Sequence, residues 1–166
     1  MPEPVAAFVA LGSNLDDPRI QVERGFDALS ALPDTRLRAR SRLFRTPPWG
    51  IVEQPDFINA VARLETSLAP RDLLAGLLDI EARAGRVRGV ANGPRVLDLD
   101  LLLYGNAVIH EPGLVVPHPR LHRRAFVLAP LADVAPDLEV PGRGRVADLL
   151  ESVDASGCFV IDCDPP

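Results

Sequence analysis

Lysine is missing from this chain, and all eighteen side chains with a permanent positive charge are arginines. That removes any chemistry needing a lysine amine, whether a Schiff base or the lysine of a Walker-type phosphate loop. Cysteine is nearly missing as well. The two present, Cys158 and Cys163, have no Cys or His companion at zinc-ligand spacing, so neither a structural zinc nor a disulfide framework is expected. No apolar run reaches the length of about eighteen residues that a membrane span needs. Met1-Pro2-Glu3-Pro4 shows no basic region leading into an apolar one. The chain therefore reads as cytoplasmic and soluble. Its net charge of −5 repels nucleic acid and anionic membrane surfaces, and no strand interleaves aromatic with basic residues. The expected partner is a small molecule bound by a monomer, with no nucleic acid and no membrane.

What is present suits a compact fold. With 166 residues, of which 47% are hydrophobic, residues 1–166 read as a single domain with a substantial core. Val5 to Leu11 is an apolar run closed by Gly12-Ser13-Asn14, a strand ending in a turn. From Asp17, Ile20, Phe26, Leu29 and Leu32 recur at helical spacing until Pro33-Asp34. Leu37, Ala39, Ser41 and Leu43 then alternate with Arg36, Arg38, Arg40 and Arg42, which predicts one strand. Thr46-Pro47-Pro48-Trp49-Gly50 must be a loop, and Phe57 to Leu64 is extended again. The spacing of Leu73, Leu74, Leu77, Leu78, Glu81 and Ala82 predicts a helix from about Pro70 to Ala84, and Val96 to Tyr104 reads as a central strand. This order predicts an α+β fold with a ferredoxin-like βαββαβ core, an antiparallel sheet with helices packed on it. Extra C-terminal elements follow: a proline-flanked loop through His118, helices over 123–132 and 146–152, and Phe159 to Ile161 as an edge strand or a loose tail over 156–166.

Asp98-Leu99-Asp100 is the strongest local signal. Residues two apart on a strand share a face, about 6.5–7 Å apart at Cα. Two carboxylates converging there suit magnesium, which keeps waters and bridges substrate phosphates, and a pair of such ions makes a phosphoryl-transfer site. Spacing alone equally allows a solvent-facing pair that keeps an edge strand soluble. Arg86, Arg88 and Arg95, in a glycine-bounded stretch next to that strand, suit a polyphosphate that needs bidentate donors. A basic helix end is the bland alternative for Arg86.

Phe57 and Asn59 share a strand face and suit a flat heterocycle, Phe by stacking and Asn by donating and accepting; Phe57 as ordinary core is the alternative. Gly12-Ser13-Asn14 lacks a P-loop pattern and reads as a turn. His118 stands in a rigid loop, where a lone histidine is usually surface polarity. The competing overall reading is a non-catalytic ferredoxin-like ligand sensor.

Taken together, Ala10-Leu11-Gly12-Ser13-Asn14, Arg45-Thr46-Pro47-Pro48-Trp49-Gly50, Gln54-Pro55-Asp56-Phe57-Ile58-Asn59-Ala60, Gly93-Pro94-Arg95-Val96-Leu97-Asp98-Leu99-Asp100 and Val116-Pro117-His118 resemble the 6-hydroxymethyl-7,8-dihydropterin pyrophosphokinases of folate biosynthesis. The resemblance runs from about Val5 to about Leu150. It implies transfer of pyrophosphate from ATP to the pterin alcohol with release of AMP, and two magnesium ions on Asp98 and Asp100. Arg86 and Arg95 would neutralise phosphate charge, and Arg88, Leu101, His118 and Arg124 would bind ATP. Phe57 and Phe126 would stack on the pterin, with Asn59 and the stretch Thr46, Pro47 and Trp49 reading its edge. The chain departs from the family pattern at Ala91 and Asn92, where a basic residue and Trp are usual, and at Phe57, where Tyr is frequent.

Overall fold

The computed structural model describes residues 3–47, 53–85 and 96–161. Arg86, Arg88, Arg95, Trp49, Ala91, Asn92 and Cys163 lie outside them. In chain order the elements are β1 (Val5–Ser13), α1 (Pro18–Ser30), β2 (Thr35–Arg40), β3 (Leu43–Thr46), β4 (Phe57–Thr66), α2 (Pro70–Arg83) and β5 (Asp98–Tyr104). They continue with β6 (Ile109–Glu111), β7 (Leu114–Val116), a 3-10 turn (Leu121–Arg123), α3 (Ala125–Val134), β8 (Glu139–Val140), β9 (Gly144–Arg145), α4 (Val146–Glu151) and β10 (Phe159–Ile161).

The main sheet runs β10-β3-β4-β1-β5, with β2 also on β4, and every pairing in it is antiparallel. Counting β2 and β3 as one interrupted strand, this is the ferredoxin-like order expected from the alternation of elements. Odd-numbered β1 residues Ala7, Val9 and Leu11 face one core with Val22, Phe26 and Leu29 of α1 and Leu73 and Leu77 of α2. Phe8 faces the other way, into a second core with Val61, Leu102, Leu128, Leu131 and Val146. The period of two thus splits one strand between two cores, and α3 and α4 cover the face that α1 and α2 leave open.

Several expectations change. The predicted strand over 36–43 breaks at Ser41 and Arg42, because Ser41 Oγ accepts the Val61 N–H at 2.8 Å and Arg42 donates to Asp133 from its backbone N–H and its guanidinium. The helical stripe of α1 uses Val22, Phe26 and Leu29, while Ile20 is exposed. The loop before His118 contains the β6–β7 hairpin. The predicted helix at 123 begins at Ala125, since the 3-10 turn takes up Leu121–Arg123 and leaves Arg124 extended as its N-cap. Phe159–Ile161 is an edge strand, opposite Leu43, Phe44 and Arg45.

Candidate active site

The ladder registers bring the predicted residues to one end of one sheet face. Gly12 of β1 is paired with Asp98 on one side and Asn59 on the other, and Asn59 is paired in turn with Phe44. One row across the sheet therefore reads Asp98, Gly12, Asn59. The row toward the middle of the sheet reads Asp100, Ala10, Val61. Adjacent strands lie about 4.8 Å apart, which puts Asp98 and Asn59 about 9.5 Å apart at the backbone, with no side chain between them. Because Leu99 and Leu101 belong to the core under α1 and α2, Asp98 and Asp100 face the other side, toward α3. Both are half-buried.

Gly12 is the residue that the site's shape requires. A Cβ there would stand 2.8 Å from Oδ1 of Asn59 and 3.9 Å from the Phe57 ring. Asn59 is buried, and its Nδ2 donates to Oγ1 of Thr46 at 2.5 Å. The amide of Asn14, also buried, donates to Oε1 of Gln54 and the carbonyl of Pro55, anchoring the chain just before Phe57. Phe57 itself is half-buried. Thr46, Pro47, Arg124, Phe126, Ser156 and Cys158 are among the residues lining a neighbouring groove of about 580 Å³.

His118 is held beside β5, its N–H donating to the Leu102 carbonyl at 2.9 Å. Its Nδ1 accepts the Arg120 N–H at 3.2 Å, so the ring proton of the neutral form lies on Nε2, which is left as a donor. Burial, helped by Arg124 and Arg120 and opposed by Asp98, pushes the His118 pKa from 6.5 down to about 4. At neutral pH the ring is uncharged. Burial also lowers the pKa of Arg124, while Asp100 and Asp98 pull it upward; a guanidinium nonetheless stays charged. Its Nε is buried and has no hydrogen-bond partner among the described residues, a donor whose desolvation an incoming acceptor would offset. Phe126 lies two residues along, its ring 5.5 Å from the Arg124 guanidinium carbon.

Asp98, Asp100, Asn59, Thr46, Phe57, His118, Arg124 and Phe126 thus lie on one face or at its rim. Leu101 does not join them through its side chain, which is 6% exposed and packs into the opposite core; what it offers on the edge strand is its main chain. Among the described residues no third His, Cys, Asp or Glu completes a metal cluster with the two aspartates. Two carboxylates on one strand face offer the hard oxygen donors that suit a magnesium ion. Sequence reasoning passed over Asn14 and Glu81. Glu81 left a signal, since it stands on the stripe of Leu73 and Leu77 at successive spacings of four.

A family model described as 7,8-dihydro-6-hydroxymethylpterin-pyrophosphokinase matches residues 8–136. The chain is 50% identical over 150 residues to the 2-amino-4-hydroxy-6-hydroxymethyldihydropteridine pyrophosphokinase of Pseudomonas aeruginosa, covering 90% of this chain and 93% of that one. It is 44% identical to the protein of the same name from Methylorubrum extorquens, over 91% of this chain and 95% of the other. Among solved structures, the wild-type HPPK-DHPS of Plasmodium falciparum with pteroate gives a TM-score of 0.72 at 13% identity, across 92% of this chain and 43% of that one. The chain spans less than half of that structure, and the likeness shows the fold.

Proposed function

Since the chain belongs to the 7,8-dihydro-6-hydroxymethylpterin-pyrophosphokinase family, we propose that it transfers pyrophosphate from ATP to 6-hydroxymethyl-7,8-dihydropterin, releasing AMP, in tetrahydrofolate biosynthesis. It acts as a monomeric cytoplasmic enzyme whose 166 residues form one catalytic domain. The observation that carries this reading is the row Asp98, Gly12, Asn59, which sets an amide suited to a heterocycle edge two strands from a carboxylate suited to a metal–phosphate group.

Each residue has a task that its surroundings suit. Asn59, oriented by Thr46, reads the pterin edge together with the main chain from Thr46 through Pro47 to Trp49. Phe57 and Phe126 stack on the ring. Arg124 brings to a phosphate oxygen a buried donor that has no acceptor among the described residues, and the neutral His118 donates from Nε2. Leu101 contributes its backbone to ATP binding, and Arg86, Arg88 and Arg95 bring further positive charge to the phosphates. Two magnesium ions held by Asp98 and Asp100 would offset the polyphosphate charge and align the attacking and leaving oxygens. With both substrates so held, the pterin hydroxymethyl oxygen bonds to the β-phosphorus as its proton passes to solvent water, and the bond from that phosphorus to the α,β-bridging oxygen breaks to free AMP. Such a reaction depends on positioning and charge neutralisation more than on a protein nucleophile.

The test is to incubate the protein with magnesium, ATP and 6-hydroxymethyl-7,8-dihydropterin and separate the nucleotides with and without the pterin. AMP formed only with the pterin is the expected result. ADP would identify an ordinary kinase, and no nucleotide product would favour a ligand sensor.

A further inference from the structure

The buried carboxylate of Glu81 lies behind the aspartate pair. It belongs to the last turns of α2, is 2% exposed, and its Oε2 accepts the backbone N–H of Leu99 at 2.7 Å. Leu99 is the residue between Asp98 and Asp100. β5 is the terminal strand on its side of the main sheet, so this N–H is met by a side chain where an interior strand would meet a neighbouring backbone. A hydrogen bond in a dry setting is electrostatically stronger than its solvated equivalent.

The position is informative because apolar packing does not explain it. Leu73, Leu77 and Glu81 follow one another at spacings of four on the face of α2 that enters the core. A leucine at the third position would continue the stripe. A carboxylate there carries a desolvation cost and adds negative charge near two other carboxylates. Its return is a fixed backbone at the Asp98–Leu99 peptide, one of the two peptide groups that join Asp98 to Asp100.

We propose that Glu81 is a positioning residue for the metal-binding aspartates, holding the Leu99 peptide so that both carboxylates keep the spacing a phosphate-bridged magnesium pair requires. It touches neither substrate nor metal. This inference rests on the functional reading above, in which Asp98 and Asp100 hold magnesium. Groups that orient metal ligands from behind typically contribute about 10–100-fold in metal affinity.

The test compares wild type with Glu81→Gln and Glu81→Leu, following by calorimetry how binding of a non-hydrolysable ATP analogue depends on magnesium concentration. Pterin binding without metal and the thermal midpoint are measured alongside. Glu81→Gln keeps an acceptor oxygen and is expected to stay within about threefold of wild type. Glu81→Leu is expected to need about tenfold or more magnesium for half-maximal analogue binding, with pterin affinity unchanged. Should Glu81→Leu not fold, the gap between Gln and wild type decides: a tenfold shift in Gln would mean that the charge matters and the hydrogen bond does not, which overturns the proposal. Equal loss of pterin and analogue binding would reduce Glu81 to a structural role and overturn it too. Analogue binding by wild type with no dependence on magnesium would instead overturn the functional reading on which the inference stands.

Discussion

Gly12 and Asn59 face each other in the β1–β4 ladder, and a Cβ on Gly12 would come within 2.8 Å of the Asn59 Oδ1. Asn59 cannot retreat without losing its bond to Thr46. Gly12→Ala is therefore expected to weaken pterin binding roughly tenfold, the ~1.4 kcal/mol that one misplaced hydrogen bond is worth. Magnesium-dependent binding of an ATP analogue should change by less than about twofold, beneath the worth of any single contact. Calorimetric titration with each ligand separates the two, and equal loss for both would refute the local account.

Asp98 and Asp100 present two like charges on one strand face. Replacing either with Asn or Ala is expected to reduce AMP formation by about a thousandfold or more, the scale of losing a principal electrostatic element of catalysis. Each variant should keep a cooperative thermal transition, because neither side chain belongs to the two cores. Near-normal turnover in any of these variants would end the two-metal assignment.

His118 predicts a pH effect with a definite sign. Its pKa is about 4 in the folded protein against the ordinary 6.5, so between those values the unfolded chain binds a proton that the folded one refuses. The stabilisation from the neutral ring is complete above about pH 6.5 and is lost as the pH falls toward 4. In the metal-free protein the thermal midpoint of wild type should fall more steeply over this window than that of His118→Gln, with parallel curves above pH 7. Parallel curves throughout would show that His118 titrates normally.

Leu128 ties the site to the second core. It is fully buried one turn beyond Arg124 on α3, and Leu128→Ala is expected to cost about 2–5 kcal/mol of stability. Urea unfolding should show a lower midpoint with an unchanged slope. A loss below about 0.5 kcal/mol, ordinary for surface positions, would mean that α3 is held by other contacts.

Period-two reasoning carried the strand faces well. It put Asp98 and Asp100 on one side and Phe57 and Asn59 on one side, as the ladders show, whereas the burial of the Leu101 side chain in the opposite core was read only from the structure. What it could not supply was non-local. The alternation of arginine and apolar residues runs unbroken through 36–43, whereas the strand breaks at Ser41 and Arg42 because of partners at Val61 and Asp133. The β6–β7 hairpin was hidden by its turn at Pro112-Gly113, and the start of α3 by a 3-10 turn that uses the same residues. Glu81 was legible as a charged residue on an apolar stripe, but its partner, a backbone N–H eighteen residues on, was not.

The row Asp98, Gly12, Asn59 also makes the sheet a ruler. Its divisions are interstrand spacings set by backbone hydrogen bonds, about 4.8 Å each, and no side-chain exchange can alter them. With Asn59 and Asp98 in the roles proposed for them, tolerance for a longer or shorter arm on the heterocycle would be a property of the main chain. An attempt to re-tune substrate length here should begin with a bulge in β1, where the β1–β5 register already shifts between Phe8 and Val9, before any pocket residue is changed.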